Sequence, residues 1–135
     1  GITTAANYAA TVNSGTASVA QTLILDADTT GVITASIAEG DLATLKTLTN
    51  ANANNVLTIT VSDTSAAPAD LIAVDAITSV AINAAAVESI VGSVADINTY
   101  RGAFDANTIS GRRIYSVVTD DTSAAVADLL TLANL

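Results

Sequence analysis

The chain has 135 residues, half of them apolar, and 13 acidic against 4 basic side chains leave it a net charge of −9. Its only cations, Lys46, Arg101, Arg112 and Arg113, are too few to neutralise a run of phosphates, which argues against nucleic acid and an anionic membrane surface as partners. With no His, no Cys and no nucleophile-elbow, phosphate-loop or zinc spacing, the sequence presents no catalytic set, so neither enzyme activity nor a small-molecule substrate is expected.

Residues 1–13 read as a lead-in segment. They lack the basic start, apolar run and cleavage box of an export signal, so any such signal is expected to have been removed or to lie on a longer precursor. From Asp26 the run Asp-Ala-Asp-Thr-Thr-Gly-Val-Ile places oxygen ligands at Asp26, Asp28 and Thr30, a turn glycine at Gly31 and an apolar residue at Ile33, as in the opening of an EF-hand-type loop. The closing Glu should fall at Ile37, and Glu39 comes two residues late. The segment therefore reads first as a polar turn between a helix and the β-like run Val32-Ile33-Thr34, with calcium the one cofactor the pattern admits. No other cofactor is expected.

Leu42, Leu45 and Leu48 after Gly40-Asp41 share one helical face. Val56 to Val61 alternates as a period-two strand. Ser65 ahead of Ala66-Ala67-Pro68 reads as an N-cap, with Pro68 tolerated in the first turn and Leu71 and Val74 on one face of the helix that follows. After the β-like run Val80-Ala81-Ile82, a helix opens behind Ser93 with Val94, Ile97, Tyr100 and Phe104 along one side. The most membrane-like stretch, residues 79–97, is interrupted by Asn83, Glu88 and Asp96, so it reads as a buried wall and no membrane insertion is expected.

Asp41, Asp70, Asp96 and Asp128 recur near the starts of these helices, where a carboxylate meets the positive end of the helix dipole. Thr22 holds the corresponding place in an earlier, divergent copy. Asp63, Asp120 and Asp121 leave their strands at matching points and read as a solvated row, the alternative being an acidic ledge for a cation. Arg112-Arg113 forms the one basic cluster.

The strongest pattern is internal repetition. Asp63-Thr64-Ser65-Ala66-Ala67 with Ala69-Asp70-Leu71 returns 58 residues later as Asp121-Thr122-Ser123-Ala124-Ala125 with Ala127-Asp128-Leu129, and the strand 56–61 returns as 114–119. Such self-similarity signals stacked units that cannot bury their apolar faces alone. The expected divisions are a unit over 14–61, a second over 62–119 and a partial third over 120–135, built from about five strand-plus-helix half-units. Strand then helix, repeated, implies parallel strands with right-handed crossovers. The fold class is α/β, a repeat-built solenoid of short parallel strands alternating with short helices; the alternative is a compact parallel α/β domain.

Phrases such as Ser14-Gly15-Thr16-Ala17, Gly31-Val32-Ile33-Thr34-Ala35, Val61-Ser62-Asp63-Thr64-Ser65, Ala69-Asp70-Leu71 and Ser93-Val94-Ala95-Asp96-Ile97-Asn98 resemble the degenerate repeats of very large secreted cell-surface proteins of cyanobacteria and related bacteria. The resemblance implies an extracellular or cell-surface location and a structural or adhesive role, and it carries no catalytic residue with it. An apolar end at Leu132 and Leu135, together with Arg112 and Arg113 as a docking point for acidic neighbours, suggests copies of the chain or neighbouring repeats as partners. The expected function is an extracellular structural subunit that assembles end to end into a filament or surface layer, with a calcium-dependent adhesin-type binding module as the alternative.

Overall fold

A computed structural model describes residues 7–48, 54–111 and 116–123. In chain order the elements are β1 (Ala10–Thr11), α1 (Val19–Asp28), β2 (Ile33–Ser36), α2 (Leu42–Leu45), β3 (Val56–Thr58), β4 (Ser65–Ala66), α3 (Pro68–Asp75), β5 (Ile82–Asn83), β6 (Ser89–Gly92), α4 (Val94–Asp105), β7 (Ile109–Ser110) and β8 (Ser116–Thr119). The fold is mixed α/β. Every strand pairing is parallel, in three small sheets of order β1-β2-β3, β4-β6-β8 and β5-β7.

The registers are regular. Ala10 faces Ile33, Thr34 faces Val56, Ser65 faces Ser89, Ile82 faces Ile109 and Ser89 faces Ser116, so paired strands lie 22 to 27 residues apart. That is the reach of one strand, one short helix and two turns, the least a parallel crossover needs. A bridge between Thr60 and Asn83 links the first sheet to the third.

Alternation within the strands sets the core. Ile33 and Ala35 of β2 point inward while Thr34 and Ser36 lie half-exposed, and Leu57, Ile59 and Val61 continue the inward row from β3. Ile82, Ile90 and Ile109 add one inward side chain each from later strands. The helices close this core with Leu42 and Leu45 of α2, Leu71 and Val74 of α3, and Val94, Ile97 and Tyr100 of α4. Small aliphatic side chains fill it, with Tyr100 the largest fully buried one among the described residues.

Local chemistry starts and stops each helix. Ser18 and Gln21 form a reciprocal capping box on α1, Asp41 caps α2 by accepting the Thr44 N–H, and Ser93 caps α4 by accepting the Asp96 N–H. Asn107, at φ 60°, ends α4 in the left-handed conformation that Asn tolerates, and the Thr108 N–H returns to the Ala103 carbonyl.

Three sequence expectations change here. Ser65 is not an N-cap: it pairs with Ser89 in β4, and α3 begins two residues later behind Ala67, with the fixed φ of Pro68 in place of a side-chain cap. Asp41 stands at the cap of α2 and not inside its first turn, whereas Asp70 and Asp96 are inside theirs. The echoing strands do not share surroundings: β3 pairs with β2, and Val117 of β8 pairs with Ile90. Ile114, Tyr115 and Asp128 lie outside the described residues. No helix among the described residues is long and apolar enough to cross a membrane, and the stretch 79–97 divides among β5, β6 and the start of α4.

Candidate functional site

The acidic side chains flagged by the sequence are largely committed to the backbone. The Glu39 carboxylate accepts the Val19 N–H at 2.9 Å, Asp63 accepts the Leu42 N–H at 2.8 Å, and Asp121 accepts the Val94 N–H at 2.6 Å. Each of these donors is the first residue of a helix. Asp63 and Asp121 are thus neither a solvated row nor a cation ledge; they are helix caps supplied from a distance. Asp121 also accepts the Thr119 hydroxyl at 3.1 Å.

The calcium-like run is likewise occupied by internal contacts. Asp26 and Asp28 fall in the last turn of α1, two positions apart on a helix, so their side chains diverge instead of converging on a common point. Asp26 is buried and accepts the Asn55 side-chain amide at 3.1 Å, and Asp28 accepts the Tyr8 hydroxyl. That bond holds the phenolic proton on Tyr8, above the usual tyrosine range. Residues 29–32 make the polar turn into β2 that the spacing suggested. Among the described residues no group of three or more acidic side chains comes together to hold a metal ion.

Sequence reading missed two polar devices. Asn55, 1% exposed, accepts the Ile33 N–H through its side-chain oxygen and donates to Asp26, while its carbonyl accepts the Ser79 N–H. Thr29 accepts the Tyr8 N–H and donates to the Tyr8 carbonyl; Thr78 does the same for the N–H and carbonyl of Leu57. The signal was present as an Asp-x-x-Thr phrase, at Asp26-Thr29 and Asp75-Thr78, and again at Asp105-Thr108, where the Thr108 hydroxyl turns instead to Asp75 at 2.8 Å.

Two hollows open on the surface. One, of about 340 Å³, is polar and bounded by Asp75, Thr78, Ser79, Asn107 and Thr108. Partial burial pushes the Asp75 carboxyl above its ordinary range, with the Thr108 hydroxyl pulling weakly the other way. The other, of about 400 Å³, is lined by Val12, Thr16, Ala17, Gln21, Ile24 and Leu25, between the chain after β1 and the outer side of α1. Ile24 there is 69% exposed, the most exposed large apolar side chain among the described residues.

This second hollow is the candidate interaction surface. It lies beside β1, which among the described residues pairs only with β2, and residues 1–25 carry no charged side chain at all. At the other end of the pairing order β8 pairs only with β6, again among the described residues, and exposes Val117 and Val118. Val118 sits in register with the exposed Val91 of β6, extending the apolar strip onto the neighbouring strand. Arg112, Arg113, Leu132 and Leu135, the sequence-stated candidates for self-association, lie outside the described residues. Compared with family models, curated proteins and solved structures, the chain matches none.

Proposed function

We propose that the chain is a structural, repeat-built unit whose strand–helix segments are successive coils of a short solenoid and whose two ends join it to further copies of itself. Supporting the coil reading is the constant direction and near-constant step of the parallel registers, 22 to 27 residues. Supporting association at the ends is one observation above the rest: an uncharged, apolar, hollowed face beside β1 on a chain whose net charge is −9. Two copies so acidic repel each other across most of their surfaces, and least where charge is absent. Contact between unlike ends would propagate as an open filament, as expected of a surface layer or fibre. An extracellular location follows from the likeness to secreted cell-surface repeats, and with it the bacterial surface role.

Sedimentation velocity over a concentration series, with negative-stain imaging of the same samples, tests this reading. The native chain should form end-to-end oligomers, and Ile24→Asp and Val118→Asp should each shift it to monomer while leaving the circular dichroism spectrum unchanged. A native chain that stays monomeric at millimolar concentration overturns it.

A further inference from the structure

We infer that a two-position code between successive strand–helix units decides which unit can follow which: a carboxylate where the helix of the preceding unit opens on an N–H, and glycine where it opens on proline. Three helices present a first-residue N–H, and each is met by an acid from further along the chain: Glu39 on Val19, Asp63 on Leu42 and Asp121 on Val94, at separations of 20, 21 and 27 residues. The first N–H groups of a helix have no intrahelical partner, and the helix dipole favours an anion there. The fourth helix, α3, opens on Pro68, which has no N–H to offer. In the unit that follows, the residue lying over Pro68 is Gly92, and a Cβ on Gly92 would stand 2.9 Å from the Pro68 Cδ.

An acid at that place would have neither space nor a donor. The same pair of positions thus changes in step, acid with N–H and glycine with proline, which a row of solvated charges would have no reason to do. The code also bears on assembly. A unit from a second copy that stacks on a helix opening with an N–H fits best with a carboxylate at the matching place, whereas the uncharged residues 1–25 bring none. Its use in choosing neighbours rests on the stacked-unit reading proposed above, but its test lies within one chain and does not depend on association.

The test is a double-mutant cycle on the full chain with Gly92→Asp, Pro68→Ala and the pair, read as melting temperature at low protein concentration. Gly92→Asp alone should lower the midpoint sharply, and adding Pro68→Ala, which restores an N–H and removes the ring, should recover most of that loss. Losses that simply add overturn the code. A second arm holds if Gly92→Asp does not fold: Asp63→Ala should speed exchange of the Leu42 amide about tenfold and leave the Val94 amide unchanged, while Asp63→Asn, which keeps an acceptor, should have a smaller effect. Equal effects of Ala and Asn, or equal acceleration at Val94, would also overturn it.

Discussion

Asn55 shows how much a single buried amide can organise. Its side chain satisfies a strand N–H on one side and a helix carboxylate on the other, and its backbone carbonyl reaches the turn before β5, so three successive segments meet at one residue. Replacing it with Leu would leave the Ile33 N–H without its acceptor in the interior, and a buried donor so abandoned costs about 1–3 kcal/mol. Asn55→Leu should therefore lower stability by about that amount in urea unfolding, with Ile33 amide exchange accelerated most. Nothing in the sequence singled Asn55 out, because Asn in a run of Ala and Asn reads as loop. Which Asn turns inward is decided by distant partners, Asp26 and Ile33, and no local rule names them. Gly31 belongs to the same class: a Cβ there would run into the Tyr8 carbonyl, a contact set by a strand more than twenty residues earlier.

Elements were more legible where local chemistry decides and less so where pairing does. Ser93 and Asp41 were readable as helix starts because the capping residue and the apolar face it precedes are neighbours in sequence. Ser65 misled because serine before a helix-forming run satisfies the same local rule, and only pairing with Ser89 draws it into a strand. The two serines should respond differently to the same change. Ser93→Ala should cost about 1 kcal/mol of stability through the lost cap, and exposed Ser65→Ala should stay within about 0.5 kcal/mol, a contrast that thermal melts of the two variants can resolve. The 58-residue echo carries a similar mixture. It correctly matched Asp63 with Asp121, which cap α2 and α4 in the same way, yet its strands do not pair, because each strand pairs one crossover away. The repeated phrase skips over a unit, the one in which Pro68 and Gly92 take the place of N–H and acid.

For the molecule as a whole, net charge and one displaced ionisation make the pH dependence testable. Asp41 is held below the usual carboxylate range, chiefly by its hydrogen bonds with Thr44, so its contribution is present above the unfolded value and is lost as pH falls through the folded one. Asp75 runs the opposite way. Partial burial raises its folded value, so the folded state favours the protonated form, and stability present below the unfolded value is lost as pH rises through the folded one. Asp75→Asn keeps an acceptor for the Thr108 hydroxyl without the charge. The variant should melt higher than the native chain at pH 7 and level with it at pH 3; a gain that persists unchanged at pH 3 would assign the effect to something other than ionisation. At this scale the α/β class, the parallel strands and the crossover order were all open to sequence reading, since they follow from strand–helix alternation. The short register step was not, because weakly similar units hide their period behind the one phrase they copy faithfully.

Parallel pairing of short strands also gives the molecule a mechanical character. Backbone hydrogen bonds between neighbouring strands run across the strands, so in the proposed solenoid they lie along its axis, and tension applied at the two ends loads them a few at a time instead of all together. Such a body yields like a spring that uncoils turn by turn. Optical-tweezer extension should release one segment of 22 to 27 residues per step, each adding about 70–95 Å of contour length, and a single all-or-none rupture would contradict it.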